Sequence, residues 1–477
     1  MVKLLPALVA LLVACGSARV SAPDAPPAPS PDAAVPDAFL EDLERRTFDW
    51  FWETTNPANG LVPDRWPSNP FSSIAAVGFG LTAYGVGAER GYVTRAAARD
   101  RVLATLRHFW RAPQGPAASG VIGDRGFFYH FLDNGTGLRY GTTELSTIDT
   151  ALLMAGVLFT QSYFDGTDAA EAEIRALADS LYRRIEWPYF DRDEAGITMA
   201  WRPEPGRLFG PGKWRGYNES IILHVLGLGS PTHPLDVEVW DRYTSTYEWG
   251  DFYGYEHLNF APLFGHQYSH VWIDFRGIQD RYMRARGIDY FENSRRATLA
   301  QRAYAVDNPD GWAAYGPDVW GLTASDGPGP VEAVIGGVER VFRSYWARGA
   351  AAGDIRDDGT IVPTAAGGSV PFAPGATIRA LMEMRARWGE HLYGRYGFLD
   401  AFNPTLAIPV ETRRGAVVPG VGWFDDDYLG IDQGPIVLMI ENHRSGLIWE
   451  TMRENPHIVR GLCRAGFAAG WLEGRCP

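Results

Sequence analysis

Along this chain, apolar residues recur at helical spacing in one segment after another, and the segments are separated by long stretches in which Gly, Pro and aromatic residues mix. Phe39, Leu40, Leu43 and Phe51 lie among acidic and basic residues, and Val102, Leu103, Leu106, Phe109 and Trp110 repeat the i, i+3, i+4, i+7 pattern. The same reading covers Leu145, Ile148, Leu152, Leu153 and Phe159, then Ile174, Leu177, Leu181 and Ile185. Farther on it covers Val334, Val338, Val341 and Tyr345, and then Ile378, Leu381, Met382 and Met384. Val- and Ile-rich runs alternating with helices, which a parallel α/β sheet requires, are missing. The intervening stretches 56–73, 203–217, 249–265, 307–330 and 394–432 are too long to be plain connectors and read as site-building loops. The expectation is an all-α fold, an α/α toroid whose loops form a cleft at one end. No break in composition divides 39–477, so this span is expected to be one domain.

The N-terminus reads as an address. Residues 1–14, MVKLLPALVALLVA, have one Lys and then an apolar run too short to span a bilayer, which is the layout of an export signal. Leu12, Val13, Ala14 and Cys15 resemble a bacterial lipobox, which marks Cys15 for acylation and the chain for a membrane surface, periplasmic or cell-exposed. Residues 15–38, rich in Ala, Pro, Ser and Asp, cannot bury a core and read as a tether. Cys463 and Cys476 are close enough in sequence to close a short loop in an oxidising compartment.

With 44 basic and 57 acidic side chains among 477 residues, the net charge of −13 argues against a nucleic-acid partner. A monomer is expected. The sequence has no HExxH zinc site, GxSxG elbow, P-loop or dinucleotide fingerprint, and neither a cofactor nor a metal is expected. His266, His270 and Asp274 recur every four residues but lack a fourth ligand, so they read as buried, hydrogen-bonded groups. The aromatic content is high, with 17 Trp, 21 Tyr and 24 Phe, and many of these rings sit beside Gly, Pro, Asn and Asp.

Carboxyl groups in such surroundings suit glycosidic-bond hydrolysis, which needs one acid to protonate the leaving oxygen and a second carboxylate to activate water or attack carbon. Glu144 and Asp149 lie at the start of an apolar helix, where Ser146 with Asp149 also fits a capping box. Glu219 follows Trp214, Tyr217 and Asn218 and enters another apolar helix, after a loop holding Trp201 and Arg202. That setting would raise a carboxyl pKa toward that of a general acid. The stretch from Trp249 through Glu256, His257 and His266 supplies further rings and polar groups for sugar hydroxyls, and Trp66 is another candidate wall. Asp326 lies in an Asp-Gly turn, Asp425 to Asp427 read as a solvated run, Asp432 precedes an apolar helix, and Glu441 follows in IENHRSG. Spacing does not choose the second carboxylate among these.

The strings ELSTIDTALL, WRGYNE, EWGDFYGYEHLNFAPLFGHQYSH, FRGIQD, GLTASDGP and DYLGIDQGPIVLMIENHRSGLIW resemble the bacterial glucoamylase-like (glycoamylase) domain, in particular the endo-β-1,2-glucanases of glycoside hydrolase family 144. The resemblance runs from about Phe39 to Trp449. It implies an (α/α)6 toroid, inverting hydrolysis of β-1,2-glucan to sophoro-oligosaccharides, and no metal cofactor. It also implies Glu219 as the general acid and a requirement for Glu144 and Asp149, with the base open among Asp149, Asp432 and Asp326. Transglycosylation, exo-acting hydrolysis of an α-glucan, and glycan binding without turnover are the alternatives.

Overall fold

The structure is a computed structural model that describes residues 34–205 and 209–476. The signal segment 1–14, the acylation candidate Cys15 and most of the tether lie outside the described residues. Helix α1, Ala34–Thr54, begins inside the span expected to be tether, because Phe39, Leu40 and Leu43 bury an apolar stripe and recruit the turn before them.

Most of the expected helices form where the periodicity places them. These are α1, then α3 at Arg95–Arg111, α4 at Thr147–Tyr163, α5 at Ala169–Arg183, and the later helix Pro374–Trp388. Periodicity does not reveal α2, Ile74–Glu89, which is apolar on every side and buried over nearly its whole length. It packs against α4 and against the Gly430–Arg444 helix, while α4 also packs on α5 and on α6, Ile221–Gly229. Where α2 crosses α4 the backbones nearly touch. A Cβ at Gly78 would stand 2.3 Å from the Leu152 carbonyl oxygen, and one at Gly156 2.1 Å from that of Gly78, so neither position accepts a side chain without moving a helix.

Two fold expectations need correcting. The chain is mostly helical but not all-α: among the described residues the long loops contain ten small sheets, nine of two strands and one of three. Strands of two to five residues let loop amides and carbonyls pair with one another where they leave solvent. In addition, Val334, Val338, Val341 and Tyr345 do not lie on a helix. Val331–Ile335 pairs antiparallel with Val338–Phe342 around Gly336-Gly337, both at positive φ, the two-residue turn that a tight hairpin uses. Cys463 and Cys476 are bridged, with Cα atoms 5.3 Å apart, which ties the C-terminus to the Pro456–Arg464 helix.

Helix N-termini gather at one place. The strand Ser72–Ser73 leads into α2, Leu145–Ser146 into α4, and Tyr428–Leu429 into the Gly430–Arg444 helix. Glu219 stands two residues before α6. The first three junctions turn an extended segment into a helix, the fourth does so through a turn, and all four stand beside the same cavity.

Candidate active site

That cavity has a volume of 430 Å³. Ser73 and Ala75 face it from the start of α2, Ile148, Asp149 and Leu152 from α4, and Leu429 and Ile431 from the last junction. Phe71, Phe131, Phe264, Tyr268 and Tyr345 form its aromatic walls, and Asp64, Arg65, His130, Glu219 and Ala324 complete the lining.

Glu219 is fixed through its backbone. Ser269 Oγ donates to its carbonyl at 2.7 Å and accepts the Ile222 N–H at 3.0 Å, while Asn218 Oδ1 accepts the Ser220 N–H at 3.0 Å. Its carboxyl group has no such support: Oε2 is shielded from solvent and has no hydrogen-bond partner. Burial, with a smaller contribution from the negative charge of Asp149, pushes the Glu219 carboxyl up to about 7.

Asp149 is tied into the first turn of α4 and also faces the cavity. The Ser146 hydroxyl caps α4 by accepting the Asp149 N–H at 3.2 Å and donates back to the Asp149 carboxylate, yet the residue also lines the cavity. Its other neighbour is His130, whose Nε2 lies 3.4 Å from Asp149 Oδ1 while Nδ1 lies 3.0 Å from Glu144 Oε1. Burial opposes a charge on this imidazole, but Asp149, Glu144 and Asp64 outweigh it and push His130 up to about 9. Glu144 answers in kind. Burial would raise its carboxyl, but the His130 hydrogen bond and charge, assisted by Arg202 at 2.9 Å, hold it down at about 2. Glu144 therefore reaches the cavity through His130 and does not line it.

Asp326 and Asp432 belong to a separate group behind the lining residues Ala324 and Ile431. Asp326, Asp400, Asp425, Asp427 and Asp432 are all buried there, and Arg65 links Asp326 to the cavity-lining Asp64. The expectation of a solvated Asp425 to Asp427 run is thus corrected. Only Asp426 is exposed, because successive side chains of this extended segment alternate between faces, which turns its two neighbours inward; Asp427 is met there by Arg414 at 2.8 Å. Glu441 is remote from the cavity, buried against Arg90 at 2.7 Å and Glu44.

Several expected sugar contacts turn out to be scaffold. Trp201, Trp214 and Tyr217 are packed in the main core, with Trp214 Nε1 donating to Thr147 Oγ1 at 2.8 Å. Asn218 braces the turn before Glu219, Trp249 lies under Arg286, and Trp66 packs on the core edge. His257 and His266 are buried on backbone carbonyls, and Glu256 is exposed on a hairpin. Trp214, Tyr217 and Asn218 flank Glu219 in sequence because they build the loop that presents it. His266, His270 and Asp274 do not share one helix face, since a short 3-10 turn ends at His266. Asp274 is instead held by Arg276 and Arg453, while burial lowers both histidines. The sequence reading missed Arg65, Phe71, His130, Phe131, Tyr268 and Tyr345. Its one available cue was the ring-rich run FFYHFL around His130.

A desolvated carboxylic acid and a second carboxylate facing one aromatic-walled cavity make up the machinery by which glycosidic bonds are hydrolysed. The chain belongs to the glycoamylase family of glycoside hydrolases, whose model matches residues 211–456. It is 28% identical to an exo β-1,2-glucooligosaccharide sophorohydrolase of Parabacteroides distasonis, over 89% of this chain; the match spans only 57% of that longer relative. A solved structure from Bacteroides uniformis is 31% identical with a TM-score of 0.77, covering 92% of this chain and 99% of the other. An endo-β-1,2-glucanase from Chitinophaga pinensis, in complex with sophorotriose and glucose, is 28% identical with a TM-score of 0.75, covering 92% of this chain and 99% of its own.

Proposed function

We propose that this chain is an endo-β-1,2-glucanase that uses Glu219 as general acid and Asp149 to activate water, with inversion at the anomeric carbon. The observation that carries the reading is the state of Glu219. Its carboxyl has no partner for Oε2 and is pushed up to about 7, so it keeps a proton to give to a leaving oxygen at neutral pH. Asp149 is favoured over Asp326 and Asp432 as the second carboxylate because it shares the cavity with Glu219 and the other two do not line it. Phe71, Phe131 and Tyr268 present ring faces to sugar C–H surfaces, and Arg65 and Asp64 present groups for hydroxyls. Endo action is supported by the likeness to the Chitinophaga endo-β-1,2-glucanase, matched over 92% of this chain and 99% of its own. The helices are read as an (α/α)6 toroid in a single domain from about residue 39, working as a monomer. Cys15 is read as the acylated N-terminus of the mature protein, which would hold the domain at a membrane surface.

The test is product analysis of purified protein on β-1,2-, β-1,3-, β-1,4- and α-1,4-glucans. A ladder of sophoro-oligosaccharides from β-1,2-glucan alone, with α-anomers appearing first by NMR, is expected. Sophorose as the only product would reassign the enzyme as exo-acting. Glucose from starch, or binding without release of reducing ends, would reject the reading.

A further inference from the structure

Aromatic rings continue outward from the cavity beyond the residues that line it. The His130 imidazole stacks on Phe131 with centroids 3.8 Å apart and planes inclined by 23°. Phe131 lies 4.3 Å from Phe71, and Phe71 in turn lies 4.9 Å from Tyr140, with planes inclined by 36° and 46°. His130, Phe131 and Phe71 face the cavity, whereas Tyr140 does not line it and is 37% exposed. The series therefore begins at the imidazole beside Asp149 and ends on a ring that stands in solvent.

A single exposed tyrosine is ordinary on a protein surface. Tyr140 differs in its contact with a cavity wall and in how firmly its loop is held. Its N–H donates to the Phe131 carbonyl at 3.0 Å, and its own carbonyl accepts Thr143 Oγ1 at 2.9 Å. Arg139, one residue earlier, is buried; its guanidinium donates to the carbonyls of Thr143 at 2.7 Å and Ala118 at 2.9 Å and pairs with Glu204 at 2.7 Å. The Phe71 side is fixed as well. Ser72–Ser73 pairs antiparallel with Phe131–Leu132, and Asn134 Nδ2 donates to Asn69 Oδ1 at 2.7 Å while Asn134 Oδ1 accepts Ser72 Oγ at 2.5 Å.

A ring held in place before a ligand arrives binds with little loss of entropy, and a tyrosine can offer its face to sugar C–H groups while its hydroxyl stays in water. The occupant follows from continuity with the cavity. A volume of 430 Å³ is the size that encloses a small molecule, so a glucan polymer cut inside it extends past the rim. We propose that Tyr140, backed by Phe71, forms a distal subsite that holds the glucan chain where it leaves the cavity. The proposal rests on the reading of that cavity as a glucanase active site. It makes Tyr140 a determinant of chain-length preference, because long chains reach the ring and the shortest cleavable ones do not.

The test compares Tyr140→Ala and Tyr140→Phe with the wild type, all as full-length protein, on β-1,2-glucan and on the shortest β-1,2-gluco-oligosaccharide that the wild type cleaves. In Tyr140→Ala, kcat/KM on the polymer should fall by about three- to tenfold relative to kcat/KM on the short substrate, chiefly through KM, which is the scale of one lost ring contact. Tyr140→Phe keeps the ring and should recover most of that ratio. A ratio that stays at the wild-type value in Tyr140→Ala would overturn the proposal, and an equal fall on both substrates would make the ring a prop for Phe71. If the wild type cleaves no glucan, the glucanase reading fails, and retardation in native gels containing β-1,2-glucan decides the subsite separately. Weaker retardation of Tyr140→Ala than of the wild type is then expected, and equal migration would overturn the proposal.

Discussion

The two sides of the cavity use the same functional group under opposite conditions. On one side Glu219 is a single carboxyl with an unpartnered oxygen, and burial is the main cause of its raised pKa. On the other, Asp326, Asp400, Asp425 and Asp432 crowd together, and their like charges add to the burial that raises Asp400 and Asp425. Between these extremes, Asp149 and Glu144 share the His130 imidazole. The lesson is that burial alone does not make a carboxyl a catalyst. An isolated acid holds one proton that it can deliver, whereas a crowded set distributes protons over several oxygens and so acts as structure.

The comparison is broken first at Glu219. Glu219→Gln keeps the shape and removes the proton, so kcat on β-1,2-glucan should fall by about 10²–10⁴-fold while the melting temperature holds, as followed by reducing-end release and calorimetry. The wild-type pH profile carries the same information. An acid must be protonated to work, so kcat should decline as pH rises through about 7. Stability follows the same sign. The folded-state pKa of Glu219 is raised above that of the unfolded chain, so its contribution is complete below the ordinary carboxylate range and is lost as pH rises through about 7. A kcat that stays level from pH 6 to pH 9 would remove Glu219 from the acid role.

A control remote from both walls separates folding from chemistry. Opening the Cys463–Cys476 bridge by Cys476→Ser should cost roughly 3 kcal/mol on the loop-entropy model and leave kcat at 25 °C unchanged. Asp149→Asn should act mainly on the chemistry. The Ser146 hydroxyl can still cap α4, but His130 loses the charge that raises it most, so some stability near neutrality is lost, while kcat falls by about 10²-fold if Asp149 activates water. Retention of near-normal kcat would move the base to the crowded side.

How much of this was legible in the sequence depended on whether a signal was local. Helices with one apolar face announced themselves, and so did the carboxyls of the TELSTID and YNE strings. Helix α2 did not, because a helix buried on all sides has no stripe to detect. The segment containing Val334 and Val338 misled because its apolar spacing fits a helix as well as a hairpin, and only Gly336-Gly337 distinguishes them. The cavity walls were hidden for a different reason. Trp201 and Trp214 stand next to Glu219 along the chain but support it from behind, whereas His130 and Tyr345 arrive from segments far away in sequence. The burial of Asp425 and Asp427 around an exposed Asp426 likewise depends on an extended segment packed on one face, which three identical residues in a row cannot reveal.

The smallest expected effect separates positioning from catalysis on the His130 side. Glu144 does not line the cavity, and it acts by holding Nδ1 of His130 while Nε2 faces Asp149. Glu144→Gln keeps an acceptor for Nδ1 but removes a charge, so the imidazole should titrate below its present value of about 9. Because that raised pKa contributes stability that is complete below the ordinary histidine range and lost as pH rises through about 9, the variant should lose stability near neutrality and converge with wild type at high pH. With Asp149 still in place, kcat should fall only about tenfold, a small loss on the scale of acid–base catalysis, with KM nearly constant. NMR titration of the His130 ring checks the cause directly. A tenfold loss of kcat with an unshifted ring would mean that Glu144 touches the substrate itself, and a shifted ring with unchanged kcat would detach His130 from the reaction.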